Sequence, residues 1–77
     1  MKLSKAQQEV VDKMRERYEL RLSETGFPYL FRGGIINVNR STFNAMKIRS
    51  IIEMRGTYIN GYVYQLTEKY RKNDSYN

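Results

Sequence analysis

Apolar residues recur at intervals of three or four through the first 24 residues, a spacing typical of an amphipathic helix. The apolar positions are Ala6, Val10, Val11, Met14, Tyr18 and Leu22. Ser4 and Gln7 have the spacing of a capping box, in which each side chain bonds the backbone N–H of the other residue. Gly26 and Pro28 are suited to end a helix. The pattern therefore predicts a long helix over residues 1–24, with a solvated, charged opposite face.

Two short β-rich segments follow this helix and flank a pair of glycines. Residues 29–32 and 35–38 are rich in aromatic and β-branched side chains, and Gly33-Gly34 suits a two-residue turn of type I′ or II′. The sequence predicts a β-hairpin over residues 27–37. A phosphate-binding loop is the less favoured interpretation of the glycines, because no Lys, Ser or Thr follows at the spacing of a P-loop.

The next segment, residues 38–53, has the pattern of a short helix with one buried face. Its apolar positions are Val38, Phe43, Met46 and Ile51, and its polar and basic positions are Arg40, Ser41, Asn44 and Lys47. Either Asn39 or Ser41 can cap the helix, which is expected to end near Arg49 and Ser50 because a β-branched run begins there. Arg, Ser and Asn side chains near the start of an exposed helix can bond base edges and phosphates.

A second β-rich region covers residues 51–66, and its Asn60-Gly61 pair is the strongest short signal for a hairpin. Two pairings remain open: residues 51–55 with 62–66 around a long loop, or tight pairing across Asn60-Gly61. Tyr62, Tyr64 and Leu66 fall on one face of the second strand. A short helix over residues 67–72 and a frayed tail over residues 73–77 complete the prediction. The predicted fold class is α+β, with one domain over residues 1–72.

The composition excludes several kinds of chemistry. The chain contains neither Cys nor His, which removes disulfides, thiolate metal ligands and His-based catalysis. The acidic residues of the first predicted helix lie on its solvated face without other catalytic groups beside them. We therefore expect no enzyme activity, no cofactor and no metal. No run approaches the ~18 apolar residues of a membrane helix, and the polar N-terminus does not have the character of a signal peptide. We expect a cytoplasmic protein with no membrane partner.

The formal charge of +6 is unevenly distributed, since residues 28–77 carry eight bases and three acids. No acid lies between Glu24 and Glu53. The bases inside that interval are Arg32, Arg40, Lys47 and Arg49. From charge alone, a nucleic-acid partner and a merely solvated basic surface are equally good interpretations.

The order of the predicted elements resembles that of a small winged-helix domain, and three motifs within residues 38–70 are similar to that family. Residues 38–46 (VNRSTFNAM) resemble the start of a recognition helix, with a capping residue before a Ser-Thr pair. Residues 47–53 (KIRSIIE) are similar to the family's Arg-Gly-Leu-Ile/Val-Glu junction. Residues 64–69 (YQLTEK) resemble the closing strand of the wing. Ser50 stands where the family usually has Gly, and the predicted first hairpin stands where a helix-turn-helix has a further helix.

The resemblance implies sequence-specific binding of double-stranded DNA by a small transcriptional regulator, with residues 40–49 in the major groove. Arg40 and Asn44 would contact guanine and adenine, respectively. The residues expected to contact phosphates are Ser41, Thr42, Lys47 and Arg49, and those expected to reach the backbone or minor groove from the wing are Arg55, Thr57, Tyr58 and Asn60. Arg32, from the first hairpin, and Asn39 complete the candidate set.

Other partners remain open alternatives. A winged-helix scaffold from a phage or mobile element could instead bind a host protein, which the surplus of Tyr and an exposed Ile48, Ile59 and Tyr62 would favour. Binding of RNA or single strands would need two or more exposed tyrosines on a sheet face that no helix covers. A homodimer through the first helix is a further alternative, since many small DNA-binding proteins dimerise.

Overall fold

The computed structural model describes residues 2–71, which contain three helices and five strands. In chain order they are α1 (Lys5–Arg15), β1 (Glu19–Ser23), β2 (Pro28–Phe31), β3 (Ile35–Asn37), α2 (Arg40–Ile48), β4 (Ile52–Tyr58), β5 (Gly61–Leu66) and α3 (Glu68–Arg71). The strands form one antiparallel sheet in the order β3-β2-β1-β5-β4. The protein is a small α+β domain, and the predicted tail of residues 73–77 lies outside the described residues.

The first helix begins as the sequence predicts, with the Ser4–Gln7 capping box, but it ends at Arg15. Arg17 adopts the left-handed conformation at φ 77°, and its N–H donates to the carbonyl of Met14. The N–H of Tyr18 donates to the carbonyl of Lys13. These two bonds define a Schellman motif, which usually places Gly at the left-handed position. With Arg there instead, the sequence contains no visible stop signal.

Residues 19–23 form the middle strand of the sheet, so their prediction as helix was wrong. Leu20 and Leu22 face the helices, whereas Glu19 and Arg21 face the other side. Tyr18 and Leu22 are also four positions apart, which is the spacing of a helix. The periodicity of apolar residues therefore did not distinguish a helix from a strand in this segment. Pairing with β2 and with the distant β5 determines the strand.

The second helix agrees closely with its prediction. Asn39 is the N-cap, and its side chain accepts a hydrogen bond of 2.9 Å from the N–H of Ser41. After the C-cap residue Arg49, Ser50 takes the left-handed conformation at φ 58°, and the N–H of Ile51 donates to the carbonyl of Met46. A second Schellman motif therefore turns the chain from α2 into β4.

Replacing Ser50 with Gly is expected to stabilise the protein by about 0.5–1 kcal/mol. Glycine removes the steric cost of the left-handed conformation, and this gain exceeds the added entropy of the unfolded chain. The melting temperature should rise by roughly 2–8 °C in a thermal unfolding experiment. Ser50→Ala is the matched control, because it removes the hydroxyl but keeps the Cβ. A stability of Ser50→Gly no greater than that of Ser50→Ala would contradict the assignment of this conformation.

Both predicted hairpins are present, with turns that differ in detail. Phe31 pairs with Ile35, so the first turn contains three residues and not two. Tyr58 pairs with Gly61, so the second hairpin is tight, but its turn consists of Ile59 and Asn60 and not of Asn60 and Gly61. Residues 52–54 pair with residues 64–66, as in the other alternative, but without the long loop. A bulge lies between Met54 and Gly56 in β4.

The core lies between the helices and one face of the sheet. Phe43, Met46 and Ile51 are buried as predicted, and Val38 is half-buried against them. The other core residues are Val10, Val11, Leu20, Leu30, Ile52, Tyr64 and Leu66. The ring of Phe43 meets that of Tyr64 edge to face at 5.0 Å, which fixes α2 against β5. Within residues 2–71, no helix is long and apolar enough to span a membrane.

Candidate nucleic-acid interface

The outward face of α2 forms a ridge without any acidic group. Its exposed residues, here called the α2 ridge, are Arg40, Ser41, Asn44, Lys47 and Ile48. Because successive residues turn by 100°, Ser41, Asn44 and Ile48 lie along the centre of this face. Arg40 and Lys47 lie on its flank, on the same side as Phe43. The ridge therefore combines two polar side chains and one apolar side chain at its centre with positive charge at its edge.

Aromatic rings hold both cations of the ridge. The guanidinium of Arg40 lies 5.4 Å from the ring centroid of Phe27, in the β1–β2 turn. The ammonium of Lys47 lies 5.6 Å from the ring of Phe43 and 5.8 Å from that of Tyr64. Such contacts stabilise the cations without neutralising them. Among residues 2–71, neither cation forms a salt bridge, so both charges remain available to an external anion.

The β4–β5 hairpin borders the ridge on the side of Lys47. Met54 is opposite Tyr64 and Thr57 is opposite Tyr62, so these four side chains share the face of the sheet that carries the helices. Met54, Thr57 and Tyr62 are exposed there. At the tip, the carbonyl of Asn60 accepts a bond of 3.0 Å from the N–H of Glu24. The hairpin tip is thereby joined to the β1–β2 turn.

The structure brings together about half of the residues that the sequence singled out. Arg40, Ser41, Asn44 and Lys47 lie on the ridge, and Thr57 and Asn60 belong to the neighbouring β4–β5 hairpin. Asn39 lies at the start of the ridge, but its side chain is engaged as the helix cap and also accepts from the hydroxyl of Ser41 at 2.6 Å. Thr42 is half-buried and lines the groove on the side of α1.

Four of the predicted basic and aromatic candidates point elsewhere. Arg49 donates from Nη1 to Oε1 of Gln7 at 2.6 Å and from Nη2 to the carbonyl of Lys2 at 3.1 Å, which fastens α2 to α1. Arg32 follows β2, at the end of the sheet opposite the β4–β5 turn. The remaining two, Arg55 and Tyr58, belong to a cluster on the face of the sheet that α1 and α2 leave open.

That cluster is centred on Arg21, which sequence reasoning missed because β1 was assigned to a helix. The guanidinium of Arg21 lies 4.4 Å from the ring of Phe31 and 5.0 Å from that of Tyr58. The hydroxyls of Tyr29 and Tyr58 are 2.6 Å apart. This hydrogen bond with Tyr29 raises the pKa of the Tyr58 hydroxyl above its ordinary value. The two tyrosines are half-buried, so their rings are not free platforms for bases.

Glu19 joins the two arginines of this face. Its carboxylate accepts from Arg21 at 2.6 Å and from Arg55 at 2.7 Å. Burial acts to raise the pKa of the Glu19 carboxyl, but the two hydrogen bonds outweigh it and hold the pKa below its ordinary value. Arg55 is thus paired within the protein. Residues 2–71 contain no group of acidic side chains arranged to hold a metal ion.

Comparisons with protein-family models, with curated proteins and with solved structures find no match for this chain. Geometry, charge and burial therefore carry the functional argument.

Proposed function

We propose that this protein binds double-stranded DNA in a sequence-specific way, as a small transcriptional regulator, with α2 as the recognition helix and the β4–β5 hairpin as the wing. The α2 ridge carries this proposal, because it offers two unpaired cations and two hydrogen-bonding side chains without any acid. The junction after α2 adds support. Ser50 keeps the left-handed conformation for which winged-helix proteins usually employ Gly.

The dimensions of α2 suit a major groove. Its nine residues span roughly 14 Å, and a major groove is about 12 Å wide. Arg40 and Asn44 are one turn apart, or roughly 6 Å along the axis, which matches about two base-pair steps. Arg40 would donate two bonds to guanine, and Asn44 would pair with adenine. Lys47 would contact phosphates, and Ser41 would do so by turning its hydroxyl from Asn39 to a phosphate oxygen. Thr57 and Asn60 would reach the backbone from the wing.

The β2–β3 hairpin occupies the place of the helix that usually precedes a recognition helix. The backbone clamp that such a helix supplies is missing, so α2 and the wing would make most of the contacts. We expect modest affinity and a strong dependence on salt, because binding releases counterions from the phosphates.

A binding titration by fluorescence anisotropy tests the proposal. Duplexes selected from a random pool are compared with random duplexes at two salt concentrations. Arg40→Ala should weaken binding to the selected duplex by about 1–3 kcal/mol, because it removes a base contact. Lys47→Ala should weaken binding to all duplexes alike. It should also reduce by about one the slope of the logarithm of the binding constant against the logarithm of the salt concentration.

Arg32→Ala is the matched control, because it removes the same charge at the opposite end of the sheet. It should leave the affinity for the selected duplex near that of the wild type. The proposal fails if wild type, Arg40→Ala and Lys47→Ala bind DNA equally, or if Arg32→Ala costs as much as Arg40→Ala.

A second candidate function is docking of a partner protein on the same surface. Large apolar side chains lie on the ridge and beside it: Ile48, on the ridge, is 83% exposed, and Phe27 and Met54, beside it, are 58% and 53% exposed. Exposed apolar groups of this size near one another are a feature of protein interfaces. Absence of binding to duplex DNA, single-stranded DNA and RNA in the same titration would favour this candidate.

A further inference from the structure

The outer edge of β3 presents backbone groups that no other strand of residues 2–71 covers, since β3 is the last strand of the sheet on that side. The N–H of Val38 donates to the carbonyl of Pro28, and the N–H of Arg32 donates to the carbonyl of Gly34. Val38 and Pro28 are therefore a hydrogen-bonded pair of the ladder, and so are Arg32 and Gly34. Because hydrogen-bonded pairs alternate with non-bonded pairs in an antiparallel ladder, the backbone groups of Ile36 point toward Leu30 in β2. The N–H and C=O groups of Ile35 and Asn37 therefore point outward.

The opposite edge of the sheet is protected and β3 is not. In β4, the bulge at Arg55 and the charged side chain of Glu53 discourage pairing with another strand. In β3, by contrast, Ile35 is 64% exposed and Ile36 is 39% exposed. Apolar side chains on both faces of an open edge are what an added strand would cover.

A groove of about 600 Å³ runs between α1 and this edge. Its floor includes Val10 and Leu30, which are buried, and its wall on the sheet side includes Ile36 and Val38. A strand added beside β3 would point every second side chain into this groove. The groove therefore places apolar side chains beside the open edge.

The rim of the groove has a charge opposite to that of the whole protein. The charged residues that α1 and its C-cap, Glu16, contribute to it are Glu9, Asp12, Lys13 and Glu16, which is three acids and one base. The formal charge of the chain, by contrast, is +6. Pairing of two β3 edges from two copies would bring two such acidic rims together, which disfavours a second copy. A basic partner is favoured for the same reason.

We propose that the β3 edge and the groove beneath α1 bind an extended, basic segment of a partner protein by strand addition. The segment would pair with the backbone of Ile35 and Asn37. Its side chains on the groove side would alternate between apolar residues over Ile36 and Lys or Arg residues against Glu9 and Asp12. The groove reaches α2 at Asn39 and Thr42, and none of the residues that line it belongs to the α2 ridge.

The test uses three labelled peptides: Val-Thr-Lys-Thr repeated twice, Val-Thr-Glu-Thr repeated twice, and the Val-Thr-Lys-Thr peptide with N-methyl groups along one edge. In each peptide the Val residues and the charged residues fall on the same face of the strand, which is the face that meets the groove. Only the first should bind in an anisotropy titration, and it should shift the amide resonances of residues 35–37 in an NMR titration. Asn37→Pro removes an outward N–H that the fold itself does not use, and proline is tolerated at such a position. It should weaken binding by about tenfold.

Asn37→Ala is the matched control, because it removes the same side chain but keeps the N–H, and its affinity should stay within about twofold of wild type. Glu9→Gln with Asp12→Asn should weaken binding by several fold. Thermal unfolding of each variant verifies that it is folded. The proposal is overturned if no peptide binds, if the two repeat peptides bind equally, or if folded Asn37→Pro binds as wild type does. The proposal is also overturned if the protein dimerises and Asn37→Pro abolishes the dimer, because the β3 edge would then pair with a second copy of this chain.

Discussion

Leu20→Ala is expected to destabilise the protein by about 2–5 kcal/mol, the range for truncating a fully buried leucine. Leu20 lies in the central strand and has neighbours on both sides, since it pairs with Leu30 in β2 and with Tyr64 in β5. A domain of 77 residues has roughly 4–12 kcal/mol of total stability. The variant should therefore lose a large share of its stability in urea denaturation followed by circular dichroism.

Leu22→Ala is the informative control for this experiment. Leu22 lies on the same face of β1 but is only half-buried, so its truncation should cost clearly less than that of Leu20. A helix over residues 1–24 would require the reverse order, because Leu22 belongs to the apolar positions of that predicted helix and Leu20 does not. A greater loss in Leu22→Ala than in Leu20→Ala would contradict the strand.

Gly61→Ala is the second substitution with a large expected effect. A Cβ at this position would lie 2.1 Å from the carbonyl oxygen of Leu22, and relief would require the backbones of β1 and β5 to separate. Forcing such an overlap costs about 1–3 kcal/mol, and the upper end is expected here because the neighbouring atom is backbone. The loss of stability should lower the urea concentration at the midpoint of unfolding. The dependence of the free energy of unfolding on urea concentration should stay unchanged.

Gly56→Ala provides a control in the same hairpin. A Cβ there meets no atom within 4 Å. The substitution should be neutral or stabilise by up to about 1 kcal/mol, because alanine lowers the entropy of the unfolded chain. If Gly61→Ala were as stable as Gly56→Ala, the close approach of β1 to β5 would be refuted.

Local signals in the sequence were sufficient for the elements that carry the ridge. Asn39 as cap, the burial of Phe43 and Met46, and the hairpins around Gly33 and Asn60 all depend on residues a few positions apart. The strand β1 could not be predicted in the same way, because the Schellman motif before it contains Arg17 in place of Gly. Its strand character follows from pairing with β5, which no short window of sequence contains.

The same limit applies to the candidate site. Sequence pattern correctly assigned the residues of α2 to an exposed face, but it treated every nearby cation as equally available. Arg49 is bound to Gln7 and Arg55 to Glu19, and both partners are distant in sequence. Whether a basic side chain is free thus depends on tertiary contacts. Of the five basic candidates, Arg49 and Arg55 are paired and Arg32 lies at the other end of the sheet, so only Arg40 and Lys47 remain on the ridge.

The central position of β1 has a consequence for synthesis of the protein. Arg21 pairs with Val63, which is translated about 40 residues later. At a rate of 5–20 residues per second, roughly 2–8 seconds separate the synthesis of β1 from that of β5. During that interval β1 has no partner on one side, and Leu20 lacks the cover that Tyr64 later gives it. The nascent chain therefore lacks one pairing partner of its central strand until β5 has been made, and an unpaired strand edge of this kind favours aggregation.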